Sequence, residues 1–251
     1  MRVMSFNVLC GGKGNKDWPH RSPLVVRAIY NTDPDVLGVQ EAHIGWMHVL
    51  TACLQEYDYV GIGRNDGKED GEFSAVFYKK EKYELLDSGS FWLSETPEKP
   101  GKGWDAACIR ICSWAKLREK ETGKVFAHLN THLDHRGDVA KQKGAELVVE
   151  RGNEISGDAP AFFTGDFNIT PDTAPYEAVL AGGFKDCRTV APITDTDNTF
   201  HAYGDPDDPA SVIDYVFCKG DVKVERFVVV RDEIDGMLPS DHYPIYADVS
   251  F

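Results

Sequence analysis

The stretch Phe162-Phe163-Thr164-Gly165-Asp166-Phe167-Asn168 decides how this chain is read. Its apolar start predicts a buried strand over Ala161 to Thr164. Gly165 permits a tight backbone at the strand end, and strand alternation turns Asp166 and Asn168 to one side. A carboxylate and an amide at that spacing suit one hard cation or one phosphate group; the same pair also suits an Asx-turn. What separates these readings is whether the pattern recurs.

It recurs from end to end. Asn7 closes Met4-Ser5-Phe6, and Glu41 closes Val36-Leu37-Gly38-Val39-Gln40. His132 follows Val125 to Thr131, Asp214 opens Asp214-Tyr215-Val216-Phe217, and Asp241-His242 precedes the last apolar run. Each alone fits a solvated strand end. A Glu behind Val-Leu-Gly-Val-Gln nevertheless sits badly in a core unless paired or ligating. The charge of Glu41 suits Mg²⁺ or Mn²⁺, while the Asn7 amide suits orienting a ligand or touching a phosphate. A His acting as base needs a partner that fixes its tautomer, a role open to Asp214 beside His242, and Asp241 points the other way, toward a metal. His132 is placed to donate to a phosphate oxygen; His128 and His135 read as surface residues. Glu41, Asp166, Asp214 and Asp241 brought together would repel by roughly 4 kcal/mol per close pair at an effective dielectric of 20, which a divalent ion offsets.

Strands are predicted over Val3–Leu9, Val36–Gln40, Phe73–Tyr78, Ile109–Leu117, Val125–Thr131, Ala161–Thr164, Val212–Cys218, Val222–Val230 and Tyr243–Val249. Many are apolar on both faces, as when helices cover one side and a second sheet the other. Helices are predicted to start at Ser22-Pro23 and stop at Asp33-Pro34, to run from His43 to Leu54 and from Asp138 to Ile155, and to cover Tyr176 to Leu180. No linker or repeat divides the chain. The candidate residues run from Asn7 to His242, so both ends must meet, and a single domain over residues 1–251 is expected.

The 251 residues carry a net charge of −14 with no basic stripe, which disfavours long nucleic acid as a substrate. Six dispersed cysteines without a CxxC pair read as free thiols in a reducing compartment, with Cys108 and Cys112 packed on one face of a strand. No run is long and apolar enough to span a bilayer, and no signal-peptide pattern opens the chain, so a cytoplasmic location without membrane or obligate protein partner is expected.

In this order, the segments around Asn7, Glu41, His132, Gly165-Asp166-Phe167-Asn168, Asp214 and Ser240-Asp241-His242 resemble the endonuclease/exonuclease/phosphatase superfamily over the full length. The resemblance implies an α/β fold, a four-layer α-β-β-α sandwich with two mixed β-sheets. It places Asn7 and Glu41 at a metal site and Asp241 near it. Asp166 and Asn168 fall at the nucleophile and phosphate, Asp214 with His242 in an orienting dyad, and His132 at the phosphate, with Glu72 supporting it. Gly89 to Pro97, with Arg110 and Trp114, is similar to a bacterial subgroup near the deadenylase-like branch. Arg110 suits either clamping a phosphate or a solvated strand charge. Trp92, Trp104 and Trp46 suit either stacking on a ring or packing. The expectation is an Mg²⁺- or Mn²⁺-dependent phosphoesterase acting on a small phosphorylated metabolite such as a sugar phosphate. The alternatives are a nuclease for short or single-stranded nucleic acid and a non-catalytic binding module.

Overall fold

Strand β1 (Arg2–Asn7) is followed by α1 (Trp18–Thr32), β2 (Val36–Ala42), α2 (Ile44–Cys53), β3 (Tyr57–Val60) and β4 (Phe73–Lys79) in the computed structural model, which describes residues 1–251. Next come β5 (Tyr83–Trp92), β6 (Ile111–Glu119), β7 (Val125–His132), α3 (Asp138–Ser156), β8 (Ala161–Asp166) and α4 (Ala174–Ala181). The chain ends with β9 (Lys185–Asp186), α5 (Cys187–Val190), β10 (Asp214–Lys219), β11 (Lys223–Val229) and β12 (Ile245–Ser250). They form two six-stranded mixed sheets, ordered β11-β12-β1-β2-β4-β3 and β5-β6-β7-β8-β10-β9. The two chain ends meet because β1 lies between β12 and β2, antiparallel to the first and parallel to the second.

Three apolar cores stack through the sandwich. Leu24, Val25 and Ile29 of α1 and Met47 and Leu50 of α2 pack on Met4, Phe6, Leu37 and Val39 of the first sheet. Ala145, Val148 and Val179 of α3 and α4 pack on Leu129, Phe163 and Phe217 of the second. Val3, Val36, Val76, Phe126, Phe162 and Val216 fill the space between the sheets. This gives helix, sheet, sheet and helix layers, and it explains the strands apolar on both faces.

The middle layer also holds a buried polar network. Gln40 donates to Asn130 Oδ1 (2.6 Å), which also accepts from the Thr164 hydroxyl (3.0 Å), and the Asn130 amide donates to the carbonyls of Val39 and Ala75, both 2.9 Å. Because the Thr164 proton is committed to Asn130, His128 Nε2 at 2.8 Å must be the donor to Thr164. Burial pushes His128 down to about 3. Gly38 is required here, since a Cβ would collide with Thr164 and Asn130. The network pins β2 against β7 and β8, the strands that carry Glu41, His132 and Asp166.

Several expectations are corrected. His128 is fully buried rather than on the surface. Helix α1 begins at Trp18, capped by Asp17 with Pro19 near its start, so Pro23 lies inside it; the Ser22 hydroxyl donates to Pro19 O (3.2 Å), the carbonyl that Pro23 leaves free. Cys108 precedes β6 and does not share its face with Cys112. The edge strands β3, β5 and β9 are additional to the predicted set.

Candidate active site

Register alone brings most of the constellation together. Parallel pairing sets His132 beside Asp166, and antiparallel pairing sets Asp166 opposite Asp214. In the other sheet, Asn7 lies level with Gln40, and an irregularity between Val39 and Ala42 re-aims Glu41, whose φ of 60° is left-handed. Asn168, at φ 50°, is also left-handed. Non-glycine residues in that region cost free energy and gather at functional sites.

The side chains close into one network. Asn7 donates to Glu41 Oε1 (3.0 Å) and to Asp166 Oδ2 (2.9 Å), while its own oxygen accepts from Leu9 N (3.0 Å). The Asn7 oxygen thus serves the turn at Leu9 while its amide fastens two carboxylates. Cys10 N donates to Glu41 Oε2 (2.9 Å). Asn168 N donates to Asp166 Oδ1 (2.9 Å) and its amide to Leu133 O (3.1 Å), so the Asx-turn and the site placement coexist. His242 Nδ1 lies 2.9 Å from Asp214 Oδ2, and its Nε2 lies 3.7 Å from Asp166 Oδ2 and 4.0 Å from Asp241 Oδ1. His132 Nε2 is 3.4 Å from Asp166 Oδ2 and Nδ1 is 3.9 Å from Glu72 Oε2, which accepts from Arg64 (2.6 Å). The Phe200 ring packs on His242 with centroids 4.8 Å apart.

Charge follows from this crowding. Burial pushes Asp166 up to about 7, helped by Asp214 and Glu41 against the pull of His242. Burial disfavours a charged His242, yet Asp214, Asp166 and Asp241 outweigh it and lift the ring to about 10. Burial raises Asp241 and Glu72. It also acts on Glu41, where the Cys10 N–H and the Asn7 amide prevail and hold the carboxyl low. Burial, with Arg110 and Arg64, drives His132 well below its usual range. Ligand atoms of Glu41, His132 and Asp166 lie within 4.8 Å of one another, as do those of Asp166, Asp214 and His242. Carboxylates in such excess over positive charge, oxygen-rich and half-buried, fit a hard divalent cation.

Asn7 and Asp214 excepted, the side chains of this network line a cleft of about 540 Å³ with Arg64, Cys108, Arg110, His135, Ser211 and Ile213. Arg110 lines the cleft and is buried. His135 is exposed, as expected, and also lines the cleft, 3.2 Å from Arg110. Trp92 does not line the cleft: it is buried and donates to Arg64 O (2.7 Å), supporting the wall from behind. Trp46 is buried too, donating to Leu9 O (3.2 Å), and Trp104 lies outside the cleft.

Sequence reasoning missed two residues that build the site. Arg21, 1 % exposed, donates to the carbonyls of Lys16, Val8, Pro239, Leu9 and Gly11, tying the β1 exit to the segment before Ser240. Asp134 accepts from the backbone N–H groups of Ala107, Cys108, Arg136 and Gly137, shaping the loop that delivers Arg110. The adjacent Thr131-His132-Leu133-Asp134-His135 was a signal for Asp134; Arg21 had none.

A family model described as Endonuclease/Exonuclease/phosphatase family matches residues 4–242. Among solved structures, an endonuclease/exonuclease/phosphatase from Bacteroides vulgatus is 38% identical, with 99% of this chain and 98% of that one covered and a TM-score of 0.94. A Bacteroides thetaiotaomicron mannosyl-6-phosphatase is 34% identical, with all of both chains covered and a TM-score of 0.93. Among curated proteins, Nocturnin of Drosophila melanogaster is 27% identical over 209 residues, which are 72% of this chain and 30% of that protein. The chain thus spans about a third of that relative, and similarly 37% of an Emericella nidulans CCR4-Not complex 3'-5'-exoribonuclease subunit Ccr4. No helix is long and apolar enough to cross a membrane.

Proposed function

The chain belongs to the endonuclease/exonuclease/phosphatase family, and on that premise we propose that it hydrolyses a phosphate ester of a small metabolite, with sugar phosphates the favoured class. The observation that carries this reading is the buried Asp214–His242 pair, 2.9 Å apart, aimed at Asp166 on the floor of a cleft of about 540 Å³. That volume lies in the range of small-ligand sites. The similarity to a mannosyl-6-phosphatase along the whole chain and the net charge of −14 support the same substrate class.

Asp214 holds Nδ1 of His242 and leaves Nε2 facing the cleft, where it takes a proton from the attacking water. Asp166 and Asn168, fixed by their shared turn, orient that water. As oxygen bonds to phosphorus, the ester P–O bond opposite breaks and the leaving oxygen departs as an alcohol after gaining a proton from solvent. His132, kept neutral, donates to a phosphoryl oxygen. Glu41, Asp166 and Asp241 would hold Mg²⁺ or Mn²⁺, with Asn7 fastening the first two. Bound there, such an ion supplies charge to the carboxylates and the phosphoryl oxygens and weakens the field that keeps a proton on His242.

A second reading, an exonuclease for short single strands, is favoured by the Nocturnin and Ccr4 relatives. Chelated protein resupplied with Mg²⁺ or Mn²⁺, assayed on hexose phosphates, a phosphodiester and an oligoadenylate, separates the two. Hexose phosphates are expected to turn over with the highest kcat/KM. Faster oligoadenylate degradation would promote the second reading, and turnover of nothing would sink both.

A further inference from the structure

The wall of the cleft opposite the carboxylates holds a buried cation with idle donors. Arg110 is only 5 % exposed, yet its Nε and Nη1 have no hydrogen-bond partner, and its Nη2 meets only His135 Nδ1 at 3.2 Å. Asp134 balances its charge from 3.8 Å, but both oxygens of that carboxylate are already engaged by four backbone N–H groups. A buried guanidinium left this way costs free energy, because each desolvated donor is unpaid by any acceptor. Its position excludes a packing explanation: it lines the same cleft as His132, Asp166 and Glu72, and its charge acts on His132 and Glu72.

We infer that Arg110 is a specificity-determining residue that reads the second negative charge of a phosphomonoester, so that the cleft prefers a monoester dianion to a diester. This rests on the phosphate-ester reading above and adds to it which ester is taken. A phosphomonoester presents three non-bridging oxygens. Those nearest the floor face His132 and the cation-holding carboxylates. The one facing the wall meets the guanidinium of Arg110, a group whose N–H donors suit phosphate oxygens. In a diester that position belongs to an ester oxygen bearing carbon, so the guanidinium stays unpaired and buried. Sites built to bond a group reject analogues that lack it far more strongly than apolar pockets reject a missing methylene.

The test is calorimetric binding of methyl phosphate and dimethyl phosphate, with Mg²⁺ present, to the wild type, Arg110→Gln and Arg110→Met. Neither ligand carries a second anionic group elsewhere, so the two differ only by one methyl and the phosphate charge it removes. The wild type is expected to bind methyl phosphate at least about 30-fold tighter at pH 8, a preference that shrinks as pH falls through the second phosphate ionisation near 6. Both variants should lower that ratio to less than about threefold and lose its pH dependence. They should also melt no lower than the wild type, since two of the donors they remove have no acceptor and Asp134 keeps its four backbone N–H groups; a structural role would lower the melting temperature. Absence of discrimination in the wild type, or equal weakening of both ligands in the variants, overturns the inference. Because binding is read directly, failure of the hydrolysis reading shows separately, as methyl phosphate discrimination without turnover of any ester.

Discussion

The floor and the wall of the cleft are built on opposite principles. On the floor, Asp166 spends its oxygens on Asn7 and Asn168, Glu41 on Asn7 and Cys10, and Asp214 on His242. The chain itself supplies every orienting contact there, and what is missing is positive charge. On the wall, charge is present in Arg64 and Arg110, and what is missing is hydrogen-bond acceptors for Arg110. One side is organised in advance for chemistry, and the other is poised for a ligand. Preorganisation of this kind belongs where charge develops, and idle donors belong where a substrate is recognised.

Breaking the floor should have the largest effect. His242→Ala, and to a similar degree Asp214→Asn, is expected to lower kcat by roughly 10²–10⁴ while circular dichroism stays native; a wild-type rate would refute the role of His242 as base. Loosening the frame beneath the floor comes next. Arg21→Met leaves buried carbonyls from three segments without donors, and a loss of about 3 kcal/mol in urea unfolding is expected. Arg21→Lys should recover little of it, because an ammonium cannot replace the five-donor fork.

A smaller effect lies in the layer between the sheets. His128 is held neutral with its value near 3, against 6.5 when unfolded. The depressed folded value means its contribution is present above pH 6.5 and lost as pH falls toward 3, where the unfolded ring takes up a proton first. Stability should drop by roughly 2 kcal/mol between pH 6.5 and 5, and His128→Gln should flatten that slope. An unchanged slope in the variant would place the acid sensitivity elsewhere. The smallest effect belongs behind the wall. Trp92→Phe removes the donor to Arg64 O and should cost about 1 kcal/mol. KM is expected to stay within about twofold; a large rise in KM would return Trp92 to substrate contact.

The floor was legible in the sequence because polar residues closing apolar strands are out of place unless they do something. Alternation then gives their side, and Asn7, Glu41, His132, Asp166, Asp214 and His242 all land together. The wall was legible only at Arg110. Asp134 sits beside the His132 signal, but the loop path it sets through four backbone N–H groups is encoded by no local pattern. Arg21 is silent for the same reason, since its partners are carbonyls, which every residue has. The strands that escaped notice are edges: β5 alternates exposed Glu84, Asp87 and Ser88 with few buried residues, and β9 is two residues long. Pro23 misplaced the start of α1 because proline marks a first turn by habit, while here Ser22 satisfies the freed carbonyl and the helix begins earlier.

The two sides meet in a single claim, that a cation on the floor and a phosphate against the wall are needed together. The most direct measurement is the initial rate of phosphate release from a hexose phosphate by chelated protein titrated with Mg²⁺. The account predicts a background rate in chelator and a saturable rise as Mg²⁺ is added. A rate that is the same with and without chelator would contradict it.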